Sequence, residues 1–411
     1  MENNSTGGLQ VVVLEQGTQI PVVGARVVVT FTGEPDLRLD ELVTDEIGRT
    51  IRLDVPAPDV SYTLTPSIVQ PYAQYTIIVS KEGYETVEVN GSAVLADVTA
   101  IQQIFLRPIK EDELGEIFVV QPHTLYYEYP PKIAEDEIKP VGEDGEIVLD
   151  SVVIPEIIIV HDGAPSDTTA KNHYVNYRDY IKNVASSEIY ATWPENAIYA
   201  NILAIMSFTL NRVFTEWYRN KGYNFTITSS TAFDQKWMPG RNIYDTIDKA
   251  VDAVFNNYIS KPGILQPILT QYCDGKRVNC PKWLSQWGSK ELADQGYTTI
   301  EILRHYYGPN VFINSAEQVS GVPQSWPGSN LTIGSRGNSV RQMQQQLNVI
   351  SNVYTLIPKL VEDGVYGAKT AEAVEIFQET FGLPITGVVD MATWYKISQI
   401  YVGVSRIAEN L

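Results

Sequence analysis

The sequence predicts a multidomain protein with an N-terminal β-sandwich, a central α+β domain and a C-terminal three-helix domain. Short apolar runs separated by turn residues fill residues 1–108, a pattern that favours a sandwich. Helical and strand-like periodicities alternate over residues 153–320. Residues 327–404 contain a repeated unit, a glycine-bearing turn followed by an amphipathic helix, which is typical of a small helical domain.

Composition narrows the classes of partner. The chain has 411 residues, of which 44% are hydrophobic and 19% charged, so it can form several cores. The net charge of −19 argues against nucleic acid, because phosphates would repel the chain, and against an anionic membrane surface. No run of 18 apolar residues is present, so we expect no membrane insertion. Residues 1–8 lack the basic and apolar regions of a conventional secretion signal.

The N-terminal region is predicted to fold as a sandwich of short strands. The order of segments 24–29, 44–48 and 75–84 resembles the transthyretin-like module of carboxypeptidase regulatory domains. This resemblance implies a structural or regulatory domain without catalytic residues. An independent sugar-binding sandwich is the alternative, since sandwiches often carry such sites.

Residues 109–152 differ in composition from both neighbouring regions. They are acidic and contain Pro130, Pro131 and Pro140. Such stretches bury too little apolar surface to form a core, so we expect an exposed connector. Exposed connectors are where proteases cut, although this one could equally be a passive spacer.

The central region contains one acid that local structure does not explain. A helix is predicted over residues 193–218, with Thr192 and Glu195 forming a capping box and Pro194 in its first turn. That arrangement gives Glu195 a structural role. Glu188 lies four residues before the cap and is a candidate acid/base. The alternative is a solvated loop acid, because most acids are surface charges.

Cys273 and Cys280 are the two cysteines of the chain. A local disulfide is possible, and free thiols or part of a zinc site are the alternatives. Zinc is less favoured because the chain has four histidines and no second cysteine pair. We expect no metal site and no cofactor.

Five ordered blocks surround the unexplained acid and extend beyond it: residues 184–197, 271–275, 284–288, 292–296 and 302–308. Together they resemble the SpoIID-like lytic transglycosylases, and among these most closely the SleC-like spore cortex-lytic enzymes. In that family the glutamate of the Ser-Glu block is the catalytic acid, which here corresponds to Glu188.

The C-terminal repeat also resembles a known family. Gly334 and Gly337 begin the first copy, Gly364 and Gly367 begin the second, and a third helix is predicted after Asp390. This pattern is similar to the type 1 peptidoglycan-binding domain, which implies peptidoglycan as a partner.

The family resemblance implies a specific biology. The enzyme would be made without a conventional signal in the mother cell and stored in the cortex or coat region of the spore. It would be a zymogen whose N-terminal part is removed by a subtilisin-like protease, with a cut that we place near residues 150–152. Its reaction would cleave the MurNAc–GlcNAc bond of cortex peptidoglycan and leave 1,6-anhydromuramoyl ends.

A single carboxyl suffices for this reaction. Hydrolytic glycosidases usually need two, but the 6-hydroxyl of muramic acid can attack its own anomeric carbon. Trp283 stands where the family pattern leads us to expect glycine, so its indole could narrow the cleft. A non-catalytic peptidoglycan-binding scaffold and a hydrolytic muramidase are the alternative functions. Five residues are predicted to bind substrate, each of which could equally be a turn or core residue: Tyr272, Ser285, Gln286, Trp287 and Tyr307.

Overall fold

The computed structural model describes residues 5–109, 115–139, 151–321 and 325–405. It has a sheet-rich N-terminal region, a central region of helices and short strands, and a C-terminal helical region. The coarse order of the predicted fold classes is therefore confirmed. The N-terminal elements are β1 (Ser5–Glu15), β2 (Arg26–Phe31), β3 (Glu34–Val43), β4 (Leu53–Ala57), α1 (Ser61–Leu64), β5 (Ala73–Ser80), β6 (Val87–Val94), β7 (Thr99–Leu106) and β8 (Glu116–Val119).

The N-terminal strands form two sheets. One has the order β3-β2-β5-β6-β8, and the other contains β7-β1-β4. Alternate residues of these strands are buried, as in β2, where Val27 and Val29 face the core. This alternation follows from the two-residue period of a strand and accounts for the pattern seen in the sequence.

The central region begins and ends with paired strands, β9 and β18. Its elements are β9 (Val153–Ile154), β10 (Ile157–His161), β11 (Asn172–Asn176), α2 (Tyr177–Glu188), α3 (Glu195–Phe214), β12 (Ile227–Thr228), β13 (Ile243–Tyr244), α4 (Asp245–Val254), β14 (Asn257–Ser260), β15 (Tyr272–Cys273), β16 (Leu284–Ser285), α5 (Gln286–Asp294), α6 (Thr299–Tyr307), β17 (Phe312–Ser315) and β18 (Gln318–Val319).

The central and N-terminal regions share a sheet. Strand β13 pairs antiparallel with β7 and extends the second N-terminal sheet to the order β13-β7-β1-β4. Next to β13, the Asn242 amide both accepts from and donates to the backbone of Ala93, at 2.9 Å in each case. Main-chain pairing therefore joins two regions that the sequence pattern separates.

Helix α3 lies at the centre of the central region. By length and composition it could cross a membrane, but 89% of its apolar window is buried inside the protein. Burial in a core therefore accounts for its apolar character.

The predicted capping box at the start of α3 is wrong. Pro194 is the N-cap and no side chain caps the helix. The Thr192 hydroxyl instead donates to Thr63 Oγ1 at 2.7 Å, and the Trp193 indole donates to the Thr63 carbonyl at 2.8 Å. Partners from the N-terminal region have replaced the local ones, and Glu195 is left exposed.

The C-terminal region consists of α7 (Asn338–Ile350), α8 (Ala368–Thr380) and α9 (Met391–Ser405). Its core includes Leu347, Phe377 and Trp394. Gly364 has φ of +72°, and a Cβ there would lie 2.9 Å from the carbonyl of Gly337. The glycine is therefore required both by its backbone conformation and by the close approach of the two repeated turns.

The connector is not exposed throughout, contrary to expectation. Strand β8 adds to β6 at the edge of the N-terminal sheet. The residues that follow, 120–139, lie across the central region and bury Val120, His123 and Leu125. We call residues 120–139 the covering segment. Of the predicted cleavage region, Asp150 lies outside the described residues, Ser151 is exposed and Val152 is 7% exposed.

Candidate active site

Glu188 is the last residue of α2 rather than part of a loop. The helix ends because Ile189 adopts an extended conformation. The Glu188 residue is 4% exposed, so it is not a solvated surface acid. A buried carboxyl requires hydrogen-bond partners, and these partners define the site.

Four donors surround the Glu188 carboxyl. The backbone N–H of Lys236 donates to Oε1 at 2.9 Å, and the Tyr272 hydroxyl lies 3.5 Å from the same oxygen. The Thr124 hydroxyl donates to Oε2 at 3.1 Å, and the Gln286 amide donates to it at 3.2 Å. Three of these groups come from the central region and one, Thr124, from the covering segment.

The space in front of Glu188 is small. It is a cavity of about 210 Å³, closed on one side by Thr124 and residues 128–132 of the covering segment. Small-molecule pockets usually measure roughly 300–1,000 Å³. A ligand larger than this cavity therefore needs the covering segment to move before it can reach Glu188.

Basic side chains fasten the covering segment over the cavity. Lys132 Nζ lies 5.0 Å from the Tyr272 ring centroid and donates to the carbonyl of Asp234. Burial lowers the pKa of Lys132, and the charges of Glu188 and Asp234 oppose that effect. From the other side, Arg277 donates to the carbonyls of Thr124 at 2.5 Å and Tyr127 at 2.7 Å.

Arg277 is held by a disulfide-closed loop. Cys273 and Cys280 form a disulfide, which is the first of the three alternatives left open by their spacing. Inside the loop, the Asp274 carboxylate accepts the Arg277 Nε–H at 2.7 Å and backbone N–H groups of residues 276–278. Although burial alone would raise it, these hydrogen bonds hold the pKa of Asp274 below its usual range.

The structure brings two of the five predicted binding residues to Glu188, namely Tyr272 and Gln286. Ser285 instead caps α5, where its hydroxyl accepts from the backbone of Gly288 at 2.9 Å. Trp287 packs in an aromatic cluster, 5.1 Å from the Trp193 ring. Tyr307 is buried and donates to the carbonyl of Gln271 at 2.9 Å.

Trp283 does not narrow this cavity. It lies in a separate surface depression with His305 and Tyr306, whereas the described residues around Glu188 do not include it. The tryptophan that replaces the expected glycine therefore changes a neighbouring surface and does not alter the immediate surroundings of Glu188.

Several site residues were missed from the sequence: Thr124, Lys132, Lys236 and Arg277. Two of them belong to the connector, whose composition predicted no packing. The available signal was Lys132 directly after Pro130–Pro131, a cation in an acidic stretch. That signal is weak because a single lysine is normally a solvated charge.

Comparison with protein families matches two parts of the chain. Residues 166–260 match the family model of the stage II sporulation protein SpoIID, and residues 336–397 match that of a putative peptidoglycan-binding domain. The chain has a SpoIID-like domain and a C-terminal type 1 peptidoglycan-binding domain. Glu188 lies within the first match. The two domains support a sporulation-related protein that acts on the cell wall, with peptidoglycan as a partner, and they are compatible with a spore cortex location.

Structural similarity adds no argument about function. The TIE protein of Bacillus anthracis is 15% identical with a TM-score of 0.18, and the match covers 26% of this chain and 17% of that protein. The 3-chlorocatechol 1,2-dioxygenase of Rhodococcus opacus is 18% identical with a TM-score of 0.18, and the match covers 26% of this chain and 62% of that protein. The 5-hydroxyisourate hydrolase of Klebsiella pneumoniae is 18% identical with a TM-score of 0.17, and the match covers 25% of this chain and 92% of that protein. Comparison with curated protein sequences found no match.

Proposed function

We propose that the protein is a lytic transglycosylase of spore cortex peptidoglycan, with Glu188 as its acid/base. The observation that carries this proposal is the buried, hydrogen-bonded Glu188 carboxyl facing a cavity within the SpoIID-like domain. Tyr272, Gln286 and the Lys236 backbone would hold the carboxyl in place after the covering segment leaves.

The carboxyls around the cavity favour attack by the substrate's own hydroxyl. Among the described lining residues, Asp274 and Glu128 carry the other carboxyls. Asp274 is occupied by its loop and by Arg277, and Glu128 belongs to the covering segment. A hydrolytic mechanism usually needs a second free carboxyl, and neither residue supplies one.

The proposed reaction has two proton transfers through one group. The protonated Glu188 carboxyl donates its proton to the glycosidic oxygen as the bond to C1 of the muramic acid breaks. The 6-hydroxyl oxygen of that sugar then bonds to C1, and the Glu188 carboxylate accepts the hydroxyl proton. The products are a free GlcNAc hydroxyl and a 1,6-anhydromuramoyl end.

We also propose that the described form is a zymogen. The covering segment shields Glu188 and is attached through β8 to the N-terminal sheet. A transthyretin-like N-terminal domain would thus act as an anchor for the segment. A subtilisin-like protease that cuts near residues 150–152 would separate this anchor from the enzyme.

The test uses the full-length chain with a site-specific protease sequence in place of residues 142–148. The protein is cut at that sequence to give the nicked chain, which is incubated with purified cortex peptidoglycan, and the released fragments are analysed by mass spectrometry. Glu188→Gln is compared with Glu195→Gln, an exposed acid seven residues away.

Three outcomes are informative. Anhydromuramoyl ends that require both nicking and Glu188 support the proposal. Reducing ends identify a hydrolytic muramidase, with water as the nucleophile. Wall binding without any release identifies a non-catalytic scaffold.

A further inference from the structure

We propose that Arg212 binds a stem-peptide carboxylate of the glycan strand, and that Glu135 of the covering segment occupies this site in the closed form. The inference rests on the proposed function, since it assumes that peptidoglycan enters where the covering segment lies. It adds a substrate-binding residue on α3 that the sequence blocks around Glu188 do not contain.

The contact between Arg212 and Glu135 has the geometry of carboxylate recognition. Arg212 Nη1 donates to Glu135 Oε2 at 3.0 Å, and Nη2 donates to Oε1 at 2.5 Å. These are two parallel bonds between a planar guanidinium and a carboxylate, the pairing in which arginine is most selective. The Arg212 side chain is fully buried, whereas the Glu135 side chain is 15% exposed. Glu135 therefore lies on the outer side of the pair.

Arg212 and Glu135 belong to two parts of the chain that would separate after the proposed cleavage. Arg212 is part of the enzyme domain, where its Nε donates to Asp234 at 2.7 Å. Glu135 belongs to the covering segment, and its backbone N–H donates to the side-chain oxygen of Gln271. When the segment leaves, Asp234 keeps Arg212 in position, but the outer edge of the guanidinium loses its carboxylate. Nη2 also keeps the Phe233 carbonyl at 3.2 Å. Both Nη groups lose the Glu135 carboxylate, however, and buried N–H donors without full partners are costly, so this edge favours a carboxylate ligand.

Lys132 of the covering segment contacts two aromatic rings, one next to Arg212 and one next to Glu188. The Phe208 ring centroid is 4.9 Å from Arg212 Cζ and 5.2 Å from Lys132 Nζ. Lys132 in turn lies over Tyr272, whose hydroxyl is 3.5 Å from Glu188. A glycan bound at Glu188 would thus extend its acidic stem peptide along these rings toward Arg212.

The charge of the whole protein makes such a site useful. With a net charge of −19, the chain repels acidic stem peptides at long range. A single buried guanidinium provides local attraction for a carboxylate. When the covering segment leaves, the Glu135 carboxylate departs together with Lys139, the cation of the segment that pairs with it, whereas Arg212 stays.

The first experiment measures binding without turnover. Nicked chain carrying Glu188→Gln is titrated with glycan strands bearing free stem carboxylates and with the same strands after amidation. We expect at least tenfold tighter binding of the acidic strands. Arg212→Lys, which keeps a cation beside Asp234, should remove most of this difference. Equal affinity for the two strand types, or a difference that survives Arg212→Lys, would overturn the inference.

The second experiment uses the uncut chain, so it does not depend on a substitution at Arg212. Glu135→Gln weakens the attachment of the covering segment to Arg212, so the segment should open more often and the affinity for acidic strands should rise severalfold over that for amidated strands. The matched control is Asp136→Asn, which removes one charge from the neighbouring exposed residue and should change neither affinity. An equal gain in both variants would assign the effect to charge alone and overturn the inference.

The two proposals fail in different ways. A nicked chain that releases no glycan, but prefers acidic strands through Arg212, overturns the proposed function and retains the carboxylate site. A nicked chain that cleaves acidic and amidated glycan equally well, and binds them equally, retains the function and overturns the site.

Discussion

The covering segment and the C-terminal domain both dock on the central domain through a buried ionic cluster, but with opposite polarity. In the first contact the central domain supplies the cation, Arg212, and the covering segment supplies the acid, Glu135. In the second the central domain supplies the acid, Asp252, and α9 supplies a cation, Lys396, at 3.3 Å. The first contact covers Glu188, whereas the described lining of the Glu188 cavity includes no residue of α9.

The two contacts also differ in the ionic partners that the central-domain residue keeps when the docked part leaves. Asp252 keeps Arg178 at 3.3 Å and Lys182 at 3.0 Å, both within the central domain. Arg212 loses the bidentate Glu135 contact and keeps one carboxylate, that of Asp234, at 2.7 Å. Each central residue therefore keeps at least one ionic partner, and Asp252 keeps more of them than Arg212 does.

The largest expected effect concerns the function of the covered site. Glu188→Gln in the nicked chain should lower glycan cleavage by about 10²–10⁴-fold, because the amide can neither donate nor accept the transferred proton. Release of anhydromuramoyl fragments measures the effect. Wall binding should persist, and Glu195→Gln should retain activity. A Glu188→Gln variant with normal turnover would remove Glu188 from the mechanism.

The next prediction tests how much the ionic cluster around Asp252 contributes to the stability of the protein. Although burial alone would raise it, the three surrounding cations hold the pKa of Asp252 well below its usual range. Asp252→Asn leaves Arg178 and Lys396 without this carboxylate, while Lys182 keeps Asp248 at 2.6 Å. The substitution should lower the free energy of unfolding by about 3–5 kcal/mol. Urea denaturation followed by tryptophan fluorescence measures the loss.

Asp294→Asn is the matched control for Asp252→Asn. Asp294 pairs with Lys290 at 2.6 Å but is 46% exposed. Its loss should cost less than about 1 kcal/mol, as is usual for surface pairs. Equal destabilisation by the two variants would contradict the importance assigned to the Asp252 cluster.

Low pH should weaken the contact between Glu135 and Arg212. Burial alone would raise the pKa of Glu135, but hydrogen bonds from Arg212 and Lys139 lower it below its usual value of 4.5. A lowered folded-state pKa contributes stability that is complete above about pH 4.5 and is lost as the pH falls below it. The hydrogen-exchange protection factors of residues 120–139, which are corrected for the pH dependence of intrinsic amide exchange, should therefore fall below that pH.

Glu135→Gln is the control for the acid effect. The variant should exchange faster at neutral pH and lose most of the acid dependence, because the titrating group is gone. If the acid dependence of residues 120–139 remained unchanged in this variant, another carboxyl would be responsible.

The smallest predicted effect separates the closed form from the active one. Thr124→Val removes hydrogen bonds to the Glu188 carboxyl and to the Ser187 carbonyl. We expect the closed form to lose about 1–2 kcal/mol, measured by thermal unfolding of the uncut chain. The activity of the nicked chain should not change once the segment has left. A loss of activity there would place Thr124 in the working site.

Some features of this protein were predictable because they depend on neighbours in the sequence. The glycine turns and the apolar spacing of α7 and α8 follow from local conformation and helical period. At the start of α9, the carboxylate of Asp390 accepts the backbone N–H of Thr393 at 2.8 Å, a contact three residues long. The candidate catalytic acid, Glu188, was also identified from a local block of sequence.

The capping box failed for the opposite reason. Thr192 and Glu195 have the right spacing, but Thr63 offers the Thr192 hydroxyl a partner 129 residues away. In a capping box the threonine hydroxyl would accept the backbone N–H of Glu195. Here the helix begins at Glu195 with Pro194 as its N-cap, so Thr192 lies outside the capping position and its hydroxyl is directed to Thr63. Local propensity could not have shown this competition.

The sequence by itself determined the order of domains, the helices of the wall-binding region and the identity of the candidate acid. Only the tertiary structure decided what covers that acid. Thr124 reaches Glu188 across 64 residues, and Glu135 reaches Arg212 across 77. Composition predicted a solvated connector because it counts charges without their partners. In the folded chain, Glu135 pairs with the buried Arg212, and the Gln266 and Gln271 side chains form hydrogen bonds with the backbone of the segment.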